Sequence, residues 1–327
     1  MVRITQYNVL CAKLASKARF PKCHEKALDP SSRLTSILNK LEGEIKQNSV
    51  ICLQELGREW HGDFHDFFQK RKYYMIYSSY GSWKSDYMGV AIAYPMEKYT
   101  SENTQIVRIS DNVPKVPSPS PVSWWYSYFN NLLIKFNLMS KPSYNEWLES
   151  SYKANTCIMT TLSSIDNPSE KFVVSTYHMP CSFYHPKVMT IHVVELLKAV
   201  HKYAEESPLI LAGDFNILPN SYQYKIITTG YNDINHREEP NISSVIWDYA
   251  GFSLESAYAV FDKEPEYTNH AWIETQPNPF TATIDYIFHS PHFQTTNVGE
   301  IPPCIRDDPF PNMKEPSDHV MITADLN

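Results

Sequence analysis

The chain has 327 residues, with 29 Lys+Arg against 36 Asp+Glu and a formal net charge of -7. An aromatic content of 13% excludes a disordered chain, and the length suffices to bury a substantial core. The acidic balance excludes a tight non-specific grip on duplex DNA, which needs many cationic phosphate contacts, but not an enzyme that handles one phosphate at a time.

The first residues, MVRITQYNVL, read as a strand; no apolar run follows the charge as in a signal peptide. No stretch reaches the roughly 18 uninterrupted apolar residues of a transmembrane helix. The six cysteines, at 11, 23, 52, 157, 181 and 304, form no CxxC pair, which argues against a disulfide framework. The expectation is a soluble, cytoplasmic protein of a reducing compartment.

In chain order, RITQYNVL opens as a strand. PSSRLTSILNKLEGEIKQN follows as a helix, with Ser31 or Ser32 as its cap and Leu34, Ile37, Leu38, Leu41 and Ile45 as one apolar stripe. SVICLQEL and YMGVAIAY are strands. Pro114, Pro117, Pro119 and Pro121 then mark an extended exposed segment. Next, Trp124, Trp125, Tyr128, Phe129, Leu132, Leu133 and Phe136 recur at helical spacing. This aromatic helix, 122–138, would pack on the protein's own body, on a twin chain or partner, on a membrane surface, or over the site as a lid. NTCIMTTL and KFVVSTYHM are strands. HPKVMTIHVVELLKAVHKYAEES is a second helix, with Pro186 in its first turn and Met189, Val193, Leu196, Val200 and Tyr203 on one side. PLILAGDFN, TIDYIF and HVMITADL complete the strands. Many short strands with interspersed helices imply two packed sheets with helices outside, an α/β architecture.

Polar residues collect at particular strand ends. Asn8, Glu55, His178, Asp214 and Asn216 lie at the C-terminal ends of their strands, whereas Asp285, Asp318 and His319 open theirs. In an antiparallel sheet, rising strands end at the rim where descending strands begin, so all eight side chains can converge on one mouth. Four carboxylates there would repel unless a cation sat among them. Oxygen ligands with few cysteines suit Mg²⁺ or Mn²⁺ rather than zinc. A hard cation with imidazoles and amides around an anion points to hydrolysis of a phosphate ester. His178, Cys181, His185 and His192 also have a loose zinc-ligand spacing, but His185 precedes a helix and His192 lies within it.

QYN at 6–8, LQE at 53–55, GDFN at 213–216, TIDYIF at 283–288 and PSDH at 316–319 together resemble the endonuclease/exonuclease/phosphatase superfamily. The fuller contexts LPNSYQYKIITTG, PFTATIDYIFHS and FPNMKEPSDH resemble its deadenylase branch, which includes the catabolite-repressor deadenylases, nocturnin, Angel and the 2'-phosphodiesterase. The resemblance implies a four-layer α-β-β-α sandwich of two mixed sheets. A single catalytic domain would span 1–327, with an insertion over about 110–153. It implies that Glu55 binds Mg²⁺ with help from Asn8 and Asp318. Asp285 would orient His319, Asp214 would position or deprotonate water, and Asn216 and His178 would hold phosphate oxygens. Phe280 stands where the branch carries a base-stacking phenylalanine; Phe183 stands where it often has a base-touching proline.

The activity so implied is Mg²⁺-dependent 3'-5' exoribonuclease action of deadenylase type on single-stranded RNA or poly(A). Two alternatives remain open. One is a small-molecule phosphatase or phosphodiesterase acting on 2',5'-oligoadenylate, a dinucleotide phosphate or a phospholipid diester. The other is an inactive protein of the same fold that binds through the aromatic insertion.

Overall fold

Successive side chains on a strand point to opposite faces, and in the central strands here both faces are covered. The computed structural model describes residues 1–81, 88–114, 145–230, 252–273, 276–303, 305 and 308–327. The expected aromatic helix 122–138 and the proline run beyond Pro114 lie outside the described residues. The elements are β1 (Val2–Asn8), α1 (Glu25–Leu28), α2 (Pro30–Lys46), β2 (Val50–Gly57), α3 (His61–Gln69), β3 (Tyr73–Tyr80), β4 (Met88–Pro95) and β5 (Tyr99–Arg108). Then come α4 (Glu146–Tyr152), β6 (Thr156–Ser164), β7 (Lys171–His178), α5 (Pro186–Ala204), β8 (Leu209–Asp214) and α6 (Tyr222–Thr229). The remainder is β9 (Glu255–Ser256), α7 (Ala257–Phe261), β10 (Asn269–Ala271), β11 (Phe280–Ala282), β12 (Asp285–His289), β13 (Thr295–Val298) and β14 (Ile322–Leu326).

Two six-stranded sheets form, ordered β13-β14-β1-β2-β4-β3 and β5-β6-β7-β8-β12-β9, beside a β10-β11 ribbon. In each sheet the middle pair, β1–β2 or β7–β8, is parallel and its neighbours are antiparallel. A parallel pair requires a crossover. The chain from β1 to β2 makes it through α1 and α2, and the chain from β7 to β8 through α5.

Alternation then builds the layers. Ile4, Cys52 and Ile92 of the first sheet meet Val174, Ile210 and Ile287 of the second, forming the core between the sheets. On the outer face of the first sheet, Tyr7, Ile51 and Leu53 pack under Ile37 and Leu41 of α2 and Phe64 and Phe68 of α3. On the outer face of the second, Val173, Tyr177 and Leu211 pack under Val193, Leu197 and Val200 of α5. The arrangement is the α-β-β-α sandwich.

Several details differ from the sequence reading. Helix α2 starts at Pro30, capped by Asp29, whose carboxylate accepts from the Ser32 amide at 2.8 Å. Asp29 and Pro30 supply both the cap and the first-turn proline, so Ser31 and Ser32 lie inside the helix. Strand β14 starts at Ile322; His319 instead forms an isolated bridge with Asn269. Strand β5 was not foreseen because its largely polar, exposed face carries no alternation of apolar residues, as suits a sheet edge.

His192 is fully buried in α5, with Nδ1 2.9 Å from the Tyr177 hydroxyl and Nε2 3.1 Å from the Ser150 carbonyl. Both ring nitrogens are therefore engaged, and the zinc-like spacing reflects helix packing. Burial lowers the His192 pKa from 6.5 to about 4. The unfolded chain thus binds a proton more readily than the folded one, so stability is held above pH 6.5 and lost as pH falls towards about 4. Urea unfolding across this window is expected to show a loss on the order of 2–3 kcal/mol from this group. The drop should flatten in His192→Gln.

Candidate active site

The inner faces of four central strands change character along their length. Ile4 is followed by Gln6 and Asn8, Cys52 by Gln54, Val174 by Thr176 and His178, and Ile210 by Ala212 and Asp214. The lower members fill the core between the sheets, while the upper ones form the floor and wall of a mouth. Register aligns the wall: Asp214 pairs with His178 on parallel β7 and with Asp285 on antiparallel β12.

Two backbone features make this geometry attainable. Strict alternation would send Glu55 to the face opposite Gln54. Instead the β2–β4 register shifts between Leu53 and Leu56, and Glu55 adopts φ 55°. This irregularity turns its carboxylate inward at the cost of a left-handed conformation unfavourable for a glutamate. Glu55 Oε1 accepts from Asn8 Nδ2 at 3.2 Å and Oε2 from the Cys11 amide at 3.2 Å. Gly213 meets a different demand. A Cβ there would lie 2.1 Å from the Tyr177 carbonyl oxygen, so only glycine lets β7 and β8 run this close one residue before His178 and Asp214.

The site is built from opposed charges. Asn8 Nδ2 also donates to Asp214 Oδ2 at 2.9 Å, so one amide braces both carboxylates. Asn8 Oδ1 accepts from the Leu10 amide at 2.9 Å. His178 Nε2 lies 3.4 Å from Asp214 Oδ2 and 4.0 Å from Glu55 Oε1. On the other side, His319 Nε2 lies 3.7 Å from Asp214 Oδ2, and its Nδ1 is 2.8 Å from Asp285 Oδ2. Two sets of ligand atoms are close enough to share a cation among the described residues: Glu55, His178 and Asp214, and Asp214, Asp285 and His319. Cysteine occurs in neither, and Asp318 belongs to neither. Asp318 is buried, with Oδ1 3.5 Å from the Ser317 hydroxyl.

Electrostatics follow from this packing. Burial pushes the Asp214 carboxyl up, helped by the Asp285 charge and opposed by the two imidazoles, to a pKa of about 6. Burial also acts upward on Glu55, but His178, His319 and the Asn8 amide outweigh it and hold its carboxyl below the ordinary range. Burial disfavours charge on His319, yet the Asp285 and Asp214 carboxylates raise its pKa well above the usual imidazole value.

Residues that the sequence reading did not assign hold these groups in place. Gln6 Nε2 donates to Asp285 Oδ1 at 2.9 Å and to Gln54 Oε1 at 2.6 Å; Gln54 Nε2 donates to Thr176 Oγ1 at 3.0 Å. Thr268 Oγ1 donates to Asp285 Oδ2 at 2.6 Å. The Tyr80 hydroxyl lies 2.5 Å from His178 Nδ1, and donation from this phenol leaves the ring proton on Nε2, facing the mouth. Ser317 Oγ donates to the Asn8 carbonyl at 2.7 Å and accepts from the His319 amide at 3.2 Å, tying PSDH to the end of β1. The buried Arg33 donates to the carbonyls of Val9, Leu10 and Pro316 at 2.7, 2.6 and 2.7 Å. Gln6 and Gln54 were within reach, since both face inward and stand close to the rim, Gln6 two positions before Asn8 and Gln54 one before Glu55. Tyr80, Thr268 and Arg33 gave no signal in a single sequence.

Asn216 is buried, with φ 51°; its amide nitrogen donates to the Met179 carbonyl at 3.0 Å, which leaves a second N–H on the same group. Phe280 is half-buried and Phe183 is exposed, and their rings pair with centroids 6.0 Å apart and planes inclined at 51°. The two aromatics expected to touch a base thus stand side by side, on separate segments.

Fold and site define a phosphoesterase of the kind represented by the endonuclease/exonuclease/phosphatase family, whose model matches residues 5–319. The chain belongs to that family, a family of divalent-metal-dependent phosphoester hydrolases, and its relatives lie in the deadenylase branch. It is 23% identical over 365 residues to the CCR4-Not complex 3'-5'-exoribonuclease subunit Ccr4 of Emericella nidulans, covering 100% of this chain and 52% of that protein. It is 23% identical over 354 residues to 2',5'-phosphodiesterase 12 of Mus musculus, covering 99% and 51%. The chain therefore spans about half the length of these two relatives. In fold it is similar to ANGEL2, a 2',3'-cyclic phosphatase solved with adenosine-2',3'-vanadate, at TM-score 0.73 and 18% identity over 99% of this chain and 95% of that one.

Gly213→Ala is expected to destabilise the fold by about 2–3 kcal/mol through overpacking of β7 against β8, read as a lowered urea midpoint. An unchanged midpoint would mean that the strands can part without cost.

Proposed function

We propose that this chain is a Mg²⁺-dependent phosphodiesterase that removes nucleotides from the 3' end of single-stranded RNA, with poly(A) among its substrates. The observation that carries this reading is the convergence of Glu55, His178, Asp214 and His319 on one mouth, with the Phe183–Phe280 pair as an aromatic surface for a base. The donors facing one another are carboxylates and imidazoles, a set that suits a hard divalent cation better than a thiolate-seeking one. Glu55 would hold the ion, with Asn8 bracing its carboxylate and Asp318 adding negative charge nearby. A bound Mg²⁺ supplies polarisation of a phosphoryl oxygen and offsets charge that builds up there.

The chain's own groups supply the remainder. Asp214, with a pKa of about 6, is suited to orient water and accept its proton near neutral pH. His319, held protonated by Asp285, presents a cationic Nε2 for developing negative charge. His178 offers its Nε2–H to a phosphate oxygen, with the ring fixed by Tyr80. Asn216 offers its second amide N–H. Phe280 stacks the terminal base, and Phe183 takes the place of the proline found in the branch. The catalytic unit spans the whole chain, and the free cysteines among the described residues suit a cytoplasmic setting. Among the described residues no helix is long and apolar enough to cross a membrane.

Product mapping tests the reading. Purified protein with Mg²⁺ is expected to release 5'-nucleotides from a 5'-labelled RNA, and to lose this activity in EDTA and in Asp214→Ala. Hydrolysis that persists under both conditions overturns the assignments. Exclusive hydrolysis of 2',5'-adenylate or of a dinucleotide phosphate would move the chain to a small-molecule role within the same family. Glu55→Ala is expected to need at least about tenfold more Mg²⁺ for half-maximal rate and to lower that rate; a wild-type Mg²⁺ titration would remove Glu55 from the ion site. Phe280→Ala should raise KM for RNA by about 5- to 150-fold, the equivalent of roughly 1–3 kcal/mol of stacking. A chromogenic phosphodiester, which has no base, should be affected far less; equal losses would point to structural damage.

A further inference from the structure

The segment that leaves the mouth after Asn8 is rich in cations, in a chain of net charge -7. Lys13, Lys17, Arg19, Lys22 and Lys26 fall within 14 residues that contain one acid, Glu25, and all five cations are exposed. Within this segment Phe20, Cys23 and Ala15 are buried with Leu10, Leu28 and Ala271 in a small apolar cluster. Lys17 Nζ donates to the Cys23 carbonyl at 2.7 Å. The loop is thus anchored by its apolar residues and turns its cations outward.

Its position is set by β10. That strand begins against the catalytic mouth: Asn269 bridges His319, and the His270 amide donates to the Asp318 carbonyl at 2.9 Å. Two residues on, Ala271 pairs with Phe280 and contacts the basic loop. The next residue, Trp272, is half-buried and carries Lys22 over its ring, with Nζ 5.3 Å from the centroid. From Asn269 to Trp272 an extended chain covers about 10 Å. A line therefore runs outward from His319, past the Phe183–Phe280 pair, to an indole and a row of cations. The charge of Arg19 makes a minor contribution at the carboxyls of Glu55 and Asp318.

Resting on the reading of the substrate as single-stranded RNA, we infer that the 13–26 loop and Trp272 form a track for nucleotides upstream of the one being removed. The cations take successive phosphates and Trp272 stacks a base. Alternating aromatic and cationic groups are how single strands are held without sequence readout. One terminal phosphate needs few positive charges, whereas a polymer engages several at once, so this row marks a polymeric substrate.

The test is direct binding in EDTA, so that no turnover is needed. Fluorescence anisotropy would follow 5'-labelled RNA strands of twelve and of three nucleotides, from low to moderate salt, for wild type and for Lys13→Gln/Arg19→Gln/Lys22→Gln. The triple variant is expected to bind the twelve-nucleotide strand about tenfold more weakly at low salt. The slope of log Kd against log salt should fall by about 2, since each phosphate contact on a single strand contributes about 0.7. The loss should shrink on the three-nucleotide strand, and Arg19→Lys should retain most of the binding. Trp272→Ala should weaken the longer strand without changing the slope. Thermal unfolding checks that the variants are folded. Wild-type affinity and slope in the triple variant, an equal loss at both lengths, or no binding of the long strand by wild type would each overturn the track. If the variant loses binding as expected but Mg²⁺ brings no release of nucleotides, the track stands and the exonuclease reading falls.

Discussion

The site depends on a polar bridge that ties the two sheets together above their shared apolar core. Gln6 of β1 reaches across to Asp285 of β12 and, within its own sheet, to Gln54, which in turn reaches Thr176 of β7. Inside a low-dielectric layer such bonds are strong when complete and costly when broken. They therefore fix how the first sheet, which carries Asn8 and Glu55, faces the second, which carries His178, Asp214 and Asp285. Asp285 is held from three sides, by Gln6, Thr268 and His319. Its orientation is decided by the fold, and the orientation of the His319 ring follows from it.

Above the bridge, charges of opposite sign are interleaved rather than sorted. Asp214 has an imidazole on either side, and Asn8 spans the gap to Glu55. This arrangement separates three neighbouring carboxylates into different electrostatic settings. Glu55 is kept ionised by its neighbours, Asp214 is poised near neutrality, and Asp285 is paired. Acid–base chemistry generally requires such a division among chemically similar groups. Local backbone cost accompanies it: Glu55 and Asn216 both sit at positive φ, and Gly213 tolerates a contact that any side chain would forbid.

Much of this was legible in one sequence because strands record burial with a period of two. Apolar residues at Ile210 and Ala212, followed by Asp214 on the same face, announce a strand that enters a site from a core. The same pattern in β1 and β7, and the reversed placement of Asp285, identified the rim. Legibility ended where the cause was not periodic. Glu55 reaches the mouth only through an irregularity in β2, so alternation alone would have placed it on the opposite face. Tyr80 supports His178 from a strand whose tyrosines look alike in sequence. The edge strand β5 and the short β10 and β11 are defined by their partners rather than by their own composition. The start of α2 lies two or three residues earlier than the serines suggest because an aspartate and a proline together compete better than serine as a helix start.

Each sheet carries a parallel pair at its centre, with its own crossover, and the two β-α-β units stand back to back. One unit contributes Asn8 and Glu55, the other His178 and Asp214. The molecule is, in effect, a pair of jaws, neither of which carries the whole set of facing side chains. Any slackening of the seam between them would part the two half-sites while leaving every participating side chain intact on its own half.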